Sequence, residues 1–267
     1  MGRVRYAKSM RDLERSELAV ASRSEPRRHA IRSMRCVFET DAEAAQAVVP
    51  RPLEAGLDSE ISVTFARVAV EISPEVTIEI RSACISVRVE YDDKAGWYLL
   101  AMPMTSEQAV TRARERFGAP AKLAEVRFDA RGESISARVE RMGTEFLGLE
   151  GLPVEDLPPR TETEYGYCFK AFPSCEPGKG FDQDPQLVRL EWRHEIERVQ
   201  RLEGSLELKE SPFDPIADLP IRRIVAVEAA EGTLQTSGRV LRPVPGDWLL
   251  PFMHQRYDDP SVDGVEV

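Results

Sequence analysis

Lys122 is the residue of this sequence best placed for covalent chemistry. It follows Gly118 and Pro120 in RERFGAPAKLAEVRF, where alternation predicts a short strand with Lys122 on the face opposite Leu123. A lysine with an ordinary pKa of about 10.4 is almost wholly protonated at neutral pH. Burial or a neighbouring cation can depress that pKa, at about 1.4 kcal/mol per unit, and free the amine to attack a carbonyl carbon. A slip of one residue would reverse the direction of every side chain.

His194 and Cys84 are weaker candidates for catalysis. His194 alternates with apolar residues along a predicted strand, so its imidazole could act as an acid or base on the apolar face. A core histidine with satisfied hydrogen bonds explains the same pattern. Cys84 has no matching pattern of histidine and aspartate, which favours a packed thiol over a nucleophile. An aromatic segment, 248–257, could cap a cavity or form a subunit contact.

One helix and a series of strands are expected to position these side chains. Thr105 and Gln108 suggest a capping box, and apolar residues then recur at helical spacing. Gly118 and Pro120 end this helix, and a second helix is predicted over 42–49. Alternating apolar and polar residues predict strands over 35–39, 61–66, 76–89, 97–100, 133–141, 165–173, 188–208 and 221–241.

The order of these elements predicts one domain of the α+β class. Three prolines in 148–159 indicate a surface loop or lid, and no stretch resembles an interdomain linker. Many strands with two helices predict a large antiparallel sheet that closes on itself. Residues 1–30 hold eight Lys or Arg against four Asp or Glu and are expected to form a basic arm, partly helical and partly disordered. The domain then spans 31–257, and 258–267 form an acidic tail.

The composition excludes several classes of function. A net charge of -10 and a pI near 5.1 argue against nucleic-acid binding, so small molecules or proteins are the expected partners. The four cysteines are irregularly spaced without a paired CxxC motif, which predicts free thiols in the reducing cytoplasm and no metal site. No run approaches the ~18 apolar residues of a membrane helix, and the first residues lack the apolar core of a signal peptide.

Three segments, in their order along the chain, resemble the acetoacetate decarboxylase-like superfamily. They are VFETDAEAAQAVVPRPLE (37–54), RERFGAPAKLAEV (114–126) and SPFDPIADLPIRRIV (211–225), and CFKAFP (168–173) matches a family strand that ends in Lys-x-x-Pro. The resemblance extends over residues 30–245. It implies a closed, cone-like antiparallel β-barrel with an internal cavity and a few flanking helices. It also implies assembly into homo-oligomers and no cofactor beyond a lysine.

The resemblance further implies the chemistry of a lyase. In this family a lysine amine attacks the ketone of a small oxo acid, and the resulting Schiff base accepts the electrons released when carbon dioxide leaves. Aldolase and dehydratase relatives use the same iminium to form an enamine nucleophile. A small oxo acid is therefore the expected ligand.

The sequence departs from the family pattern at the positions that this chemistry needs. Active decarboxylases carry Pro-Lys-Lys and use the first lysine, whereas this chain has Ala121 there and Lys122 in the second place. On an extended backbone these two neighbours point in opposite directions. The arginine that receives the substrate carboxylate aligns with Ile31, and the two active-site glutamates align with Ala66 and Ile80.

Two hypotheses follow from this departure. In the first, shifts of one residue bring Arg32, Glu79 and Lys122 into the cavity, and a Schiff-base lyase survives with Lys122 and Glu79 as catalytic groups. In the second, the barrel binds a small apolar or oxo-acid ligand without chemistry, in a cavity that is more apolar than a decarboxylase's. Either way, acetoacetate decarboxylation is expected to be slow or undetectable. The expected ligand contacts are Arg32, Ala66, Ile80, Ala121 and His194.

Overall fold

The computed structural model of the chain describes residues 6–7, 9–21, 28–73, 75–131 and 134–259. Within these ranges there are three α-helices, α1 (Met10–Ala21), α2 (Ala42–Ala47) and α3 (Glu107–Phe117). The strands are β1 (Arg28–Glu39), β2 (Glu54–Ala55), β3 (Glu60–Ser73), β4 (Val76–Tyr91), β5 (Lys94–Met104), β6 (Ala121–Leu123), β7 (Glu125–Arg131), β8 (Ser134–Arg141), β9 (Thr144–Leu157), β10 (Arg160–Lys170), β11 (Gln186–Leu208) and β12 (Arg223–Pro243). None of the helices in these ranges has the length and apolar character needed to cross a bilayer.

All twelve strands belong to one sheet whose main path runs β10-β5-β4-β3-β1-β12-β11-β9-β8-β7. Strand β10 also pairs with β11, so seven strands from β10 through β5 and β1 to β11 are joined in a ring. The pairs β10–β5 and β5–β6 are parallel, and the other pairs are antiparallel. The prediction of a mainly antiparallel fold with few helices is confirmed.

The strands of the ring have two distinct faces. One face of β1 carries the fully buried Met34, Cys36 and Phe38, which pack in the main hydrophobic core with side chains of β3, β4 and β7–β9. We call this the core face. The opposite face, which carries Ser33 and Arg35, is the inner face. Because successive side chains of a strand alternate, each residue of the ring is assigned to one of these faces by its register.

Helix α3 and the turn after it close one end of the ring. The helix begins one residue later than predicted: Ser106 is the N-cap and accepts a hydrogen bond from the Ala109 amide at 3.3 Å. Thr105 is not the cap, because its hydroxyl lies 3.1 Å from the amide of Arg81 on β4. At the other end Gly118 has φ +76° and its amide bonds to two carbonyls of the last turn.

The predicted loop or lid at 148–159 is wrong. Residues 148–157 continue strand β9, which pairs with β11 from Leu147↔Leu208 to Leu157↔Val199. Pro153 is accommodated because it lies at a register shift of this pair, where regular pairing is interrupted. Pro153 therefore marks a bulge in a long strand, and Pro158 and Pro159 form the short connection between β9 and β10.

The predicted arm and tail fall partly outside the described residues. Helix α1 lies within the predicted arm, and β1 begins at Arg28, which pairs with Glu195 of β11 at 2.5 Å. Residues 1–5, 8, 22–27 and 260–267 lie outside the described ranges. Asp258, the first residue of the predicted tail, takes part in a buried cluster of charges.

Candidate functional site

The inner face of β1, β3 and β4 can be read as rows of residues that face one another across the strands. The pairings that define the rows are those of β1 with β3 and of β3 with β4. The four rows are Ile31–Val68–Ile80, Ser33–Ala66–Ser82, Arg35–Thr64–Cys84 and Val37–Ser62–Ser86. The first row is apolar, the second consists of small side chains, and the third is the first that contains a charged residue, Arg35.

The apolar row brings together positions that the sequence singled out. Ile31 and Ile80 flank Val68, and Ala66 lies in the next row on the same face. Ala121 pairs with Met102 of β5, which packs in a second apolar cluster with Leu99, Cys168 and Val188. This cluster lies on the inner face, so the end of the ring near α3 is lined by apolar side chains.

Arg32 and Glu79 lie on the opposite face from this row. The Arg32 guanidinium pairs with Glu231 at 2.6 Å, and Glu79 accepts hydrogen bonds from Arg67 and Arg81. These side chains are about one third to one half exposed. Because neighbours on a strand alternate, neither side chain can reach the inner face without a change of register.

Lys122 is buried, and its ammonium group lies among acceptors. The Nζ atom is 3.0 Å from the Phe213 carbonyl oxygen, 3.2 Å from Asp214 Oδ1 and 2.8 Å from Asp258 Oδ1. The side chain is only 6% exposed. A lysine ammonium has three N–H donors, so the acceptors around Lys122 match its donors in number.

Arg141 completes this cluster, which we call the charge cluster and define as Lys122, Arg141, Asp214 and Asp258. Arg141 Nε lies 2.7 Å from Asp214 Oδ2, and another nitrogen of the same guanidinium pairs with Asp258. Arg141 also donates to the Leu123 carbonyl at 3.2 Å. Two cations thus face two carboxylates, so the formal charges of the cluster balance.

A different polar group occupies the inner face of the ring. Arg35 of β1 donates to Glu164 of β10 at 2.9 Å and to Ser62 of β3 at 2.9 Å. The Trp97 indole of β5 donates to the same Glu164 oxygen at 3.3 Å, and the Arg35 guanidinium carbon lies 4.9 Å from the Trp97 ring centroid. Strand β1 is not a neighbour of β5 or β10, so Arg35 meets Trp97 and Glu164 across the inside of the ring.

His194 borders this group. Its Nε2 atom lies 4.0 Å from Glu164, and burial lowers the pKa of His194 despite the opposing attraction of Glu164 and Glu162. Burial alone would raise the pKa of Glu164, but the charge and hydrogen bond of Arg35, with help from His194 and Trp97, outweigh it, so the pKa lies below its usual value. The imidazole is therefore neutral at pH 7 and Glu164 is ionised.

A second charged group lies beside the first. Arg160 of β10 bonds to Glu162 at 2.9 Å and, across β11, to Glu228 of β12 at 2.7 Å. These three side chains are about one third exposed. Among the residues that the structure describes, no cluster of three His, Cys, Asp or Glu side chains is arranged to hold a metal ion.

Arg35 and Glu164 were not among the candidate residues predicted from the sequence. One signal was available: Arg35 is four residues from Ile31 on one strand and therefore shares its face. Nothing local indicated that its partner would be Glu164, 129 residues further along the chain.

The sequence of this chain is similar to that of a known family and of several of its members. The sequence model of the family "Acetoacetate decarboxylase (ADC)" matches residues 16–243. An acetoacetate decarboxylase of Burkholderia vietnamiensis is 28% identical over 196 residues, which cover 70% of this chain and 76% of that protein. One from Acidiphilium cryptum is 26% identical over 202 residues, which cover 71% and 77%.

Solved structures with the same fold include an acetoacetate decarboxylase from Legionella pneumophila, with a TM-score of 0.71 at 18% identity. The match covers 90% of this chain and 98% of that chain. The enduracididine biosynthesis enzyme MppR, in complex with pyruvate, matches with a TM-score of 0.68 at 14% identity over 82% of this chain and 91% of that one. At these identities the likeness concerns the fold.

Proposed function

Because this chain belongs to the acetoacetate decarboxylase family, we propose that it binds a small oxo acid or related carboxylate inside the strand ring without forming a Schiff base. One observation carries the proposal. Ala121 lies on the inner side of β6, whereas the neighbouring Lys122 ammonium is surrounded by the Phe213 carbonyl and two carboxylates. A ketone bound inside the ring would meet the methyl group of Ala121 and not the Lys122 amine, which lies on the other side of β6.

The inner face supports the binding half of the proposal. It offers an apolar row at one end and, through Arg35 and its partners, a polar group further along. A molecule with a carboxylate and a short apolar body matches both. The related MppR structure contains pyruvate, a small oxo acid.

A Schiff-base lyase that uses Lys122 is the second candidate. It is favoured by the burial of Lys122, which leaves 6% of its side chain exposed. For this activity the charge cluster would have to open and β6 would have to shift by one residue. Glu79 and Arg32 would need the same shift in β4 and β1, which would move the buried core residues of those strands to the inner face.

Borohydride trapping distinguishes the two candidates. The purified protein is incubated with acetoacetate or pyruvate, reduced with borohydride and digested. Mass spectrometry of the lysine-containing peptides then shows which lysine carries a reduced adduct. We expect no adduct on Lys122 above the level found on the exposed Lys209, because the Lys122 amine is held in the charge cluster and not on the inner face. Carbon dioxide release from acetoacetate is measured in parallel and should equal the uncatalysed rate.

A stoichiometric adduct on Lys122 would refute the non-covalent proposal. In that case the variant Lys122→Met should abolish both the adduct and any carbon dioxide release. Non-covalent binding is measured separately, by titration calorimetry with pyruvate and with a series of fatty acids. Absence of heat with all of them at millimolar concentration would refute ligand binding in the ring.

We further infer that the ring is a closed barrel, as in the cone-like fold that the family resemblance implies. The pairing of β10 with both β5 and β11, together with the contact of Arg35 with Glu164 across the ring, supports this inference. The four free cysteines support the cytoplasm as its location. A homo-oligomer is proposed from the family resemblance alone and is tested by light scattering of the purified protein.

A further inference from the structure

Arg88 is a half-buried cation of the inner face whose charge has no counterpart. It pairs in register with Trp97, and its guanidinium carbon lies 5.1 Å from the centroid of the indole ring. In the part of the chain that the structure describes, this guanidinium has neither an ion pair nor a hydrogen bond. Arg35 and Arg160, the other arginines nearby, each have a carboxylate partner.

Two cations therefore lie beside the Trp97 ring. Arg35 and Arg88 both lie within about 5 Å of the ring centroid, and Glu164 is the carboxylate that pairs there. His194 adds no charge at pH 7, because burial lowers its pKa. The guanidinium of Arg35 pairs with Glu164, whereas that of Arg88 has no ion pair among the described residues, so Arg88 is the cation that a monovalent anion would neutralise.

Arg35 also has a donor to spare. Its Nε atom bonds to Ser62 and its Nη1 atom to Glu164, which leaves Nη2 without a described acceptor. A planar guanidinium binds a carboxylate through two parallel hydrogen bonds. Arg88 and the Nη2 atom of Arg35 thus offer N–H donors beside the same indole ring.

We infer that Arg88 and Nη2 of Arg35 hold the carboxylate of an aliphatic acid against Trp97, with its tail directed along the inner face towards Ile31 and Ile80. This inference rests on the proposed function and adds the residues and the class of ligand. The aligned family arginine would occupy position 31, which is apolar here, so the carboxylate site has moved along the ring.

The spacing of the rows selects a ligand longer than acetoacetate. Arg35 and Ile31 are four residues apart on β1, about 13 Å along an extended strand. The row between them consists of Ser33, Ala66 and Ser82, whose side chains are small, and both serines are partly exposed. Each methylene buried along this path should strengthen binding about fourfold.

The test is titration calorimetry of the full-length protein with acetate, butyrate, hexanoate and octanoate, and with octanamide as the neutral analogue. Octanoate should bind more tightly than butyrate, by about fourfold for each additional buried methylene. It should also bind more tightly than octanamide, which carries no charge. In Arg88→Met, which keeps the aliphatic stem that packs beside Gly56, octanoate should bind 10- to 100-fold more weakly, on the order expected for a charged hydrogen-bond pair. Octanamide affinity should not change.

Arg81→Met is the matched control, because Arg81 lies on the same strand but faces outward and pairs with Glu79. It should bind octanoate as the wild type does. Equal octanoate affinity of Arg88→Met and the wild type would overturn the inference. If Arg88→Met does not fold, Arg88→Lys is used: a several-fold loss of octanoate affinity supports the site, and unchanged affinity overturns it.

Two further outcomes separate this inference from the proposed function. Inorganic phosphate should not displace octanoate, and displacement by phosphate would overturn the choice of a carboxylate. If the wild type binds no acid of the series and no pyruvate, the proposed function and this inference fail together. If a Lys122 adduct forms while Arg88→Met still lowers the affinity for octanoate, the proposal of binding without a Schiff base fails and the carboxylate site at Arg88 stands.

Discussion

Replacing Lys122 by methionine should lower the free energy of unfolding, because it removes one cation from the charge cluster. The change removes one of two cations and leaves Asp214, which is 1% exposed, and Asp258, which is 26% exposed, to share Arg141. Breaking a buried ion pair by removing one partner costs about 3–5 kcal/mol. A single domain is stable by about 5–15 kcal/mol, so this is a large fraction of the total.

The assay is urea unfolding followed by circular dichroism, with Lys209→Met as the matched control. Lys209 also has two carboxylate neighbours, Glu145 at 3.5 Å and Glu207 at 3.3 Å, but its side chain is 44% exposed. Its loss should therefore cost no more than about 1 kcal/mol. Adding Asp258→Asn to Lys122→Met removes the unpaired charge and should restore part of the lost stability.

The reasoning is refuted if Lys122→Met and Lys209→Met unfold at the same urea concentration. That result would mean that the cluster contributes no more than a surface pair and that the Lys122 amine is free for another role. A Lys122→Met variant that keeps its stability but loses carbon dioxide release would point to the Schiff-base lyase.

Three further predictions concern single positions. Burial raises the pKa of the Cys84 thiol to about 12, so iodoacetamide at pH 8 should label the exposed Cys175 in the native protein and Cys84 only after denaturation, as read by peptide mass. Gly118→Ala should destabilise the protein by about 2 kcal/mol more than Gly143→Ala in urea unfolding. Both glycines have positive φ, but a Cβ at 118 would lie 2.4 Å from a carbonyl oxygen of β10, whereas nothing lies within 4 Å at 143. Burial lowers the pKa of His194 below its unfolded value of about 6.5. The contribution of His194 to stability is therefore present above about pH 6.5 and is lost as the pH falls from there through the folded-state pKa. The wild type should lose more stability than His194→Gln between pH 7 and pH 5.

The strands could be predicted because alternation is a local signal. The predicted strands at 76–89 and 188–208 correspond to β4 and β11 within two residues at each end. Alternation also assigns faces, and the structure places Ile31, Ala66 and Ile80 on one face, as their alignment requires. The prolines of 148–159 misled the prediction, because sequence alone does not show that β9 carries a register shift at Pro153.

The partners of the candidate residues could not be predicted. The sequence indicates that Lys122 and Ala121 face opposite ways, but the acceptors of Lys122 lie 91 and 92 residues away, in a loop, and in the last turn of the described chain. Arg88 carries no special pattern in the sequence, and only the structure shows that its guanidinium lies over the Trp97 ring. Such pairings depend on the closing of the ring, which is a property of the whole chain.

The pairing of β1 with β12 has a consequence for biosynthesis. Strand β1 is complete at Glu39, but its partner on one side is complete only at Pro243. At a translation rate of about 5–20 residues per second, the ribosome needs roughly 10–40 s to deliver those intervening residues. Throughout this interval the β1 edge, with its unpaired amides and carbonyls, is exposed to other nascent chains. Strong overexpression, which raises the local concentration of such unfinished chains, should therefore favour inclusion bodies, and slower induction or added chaperones should raise the soluble yield.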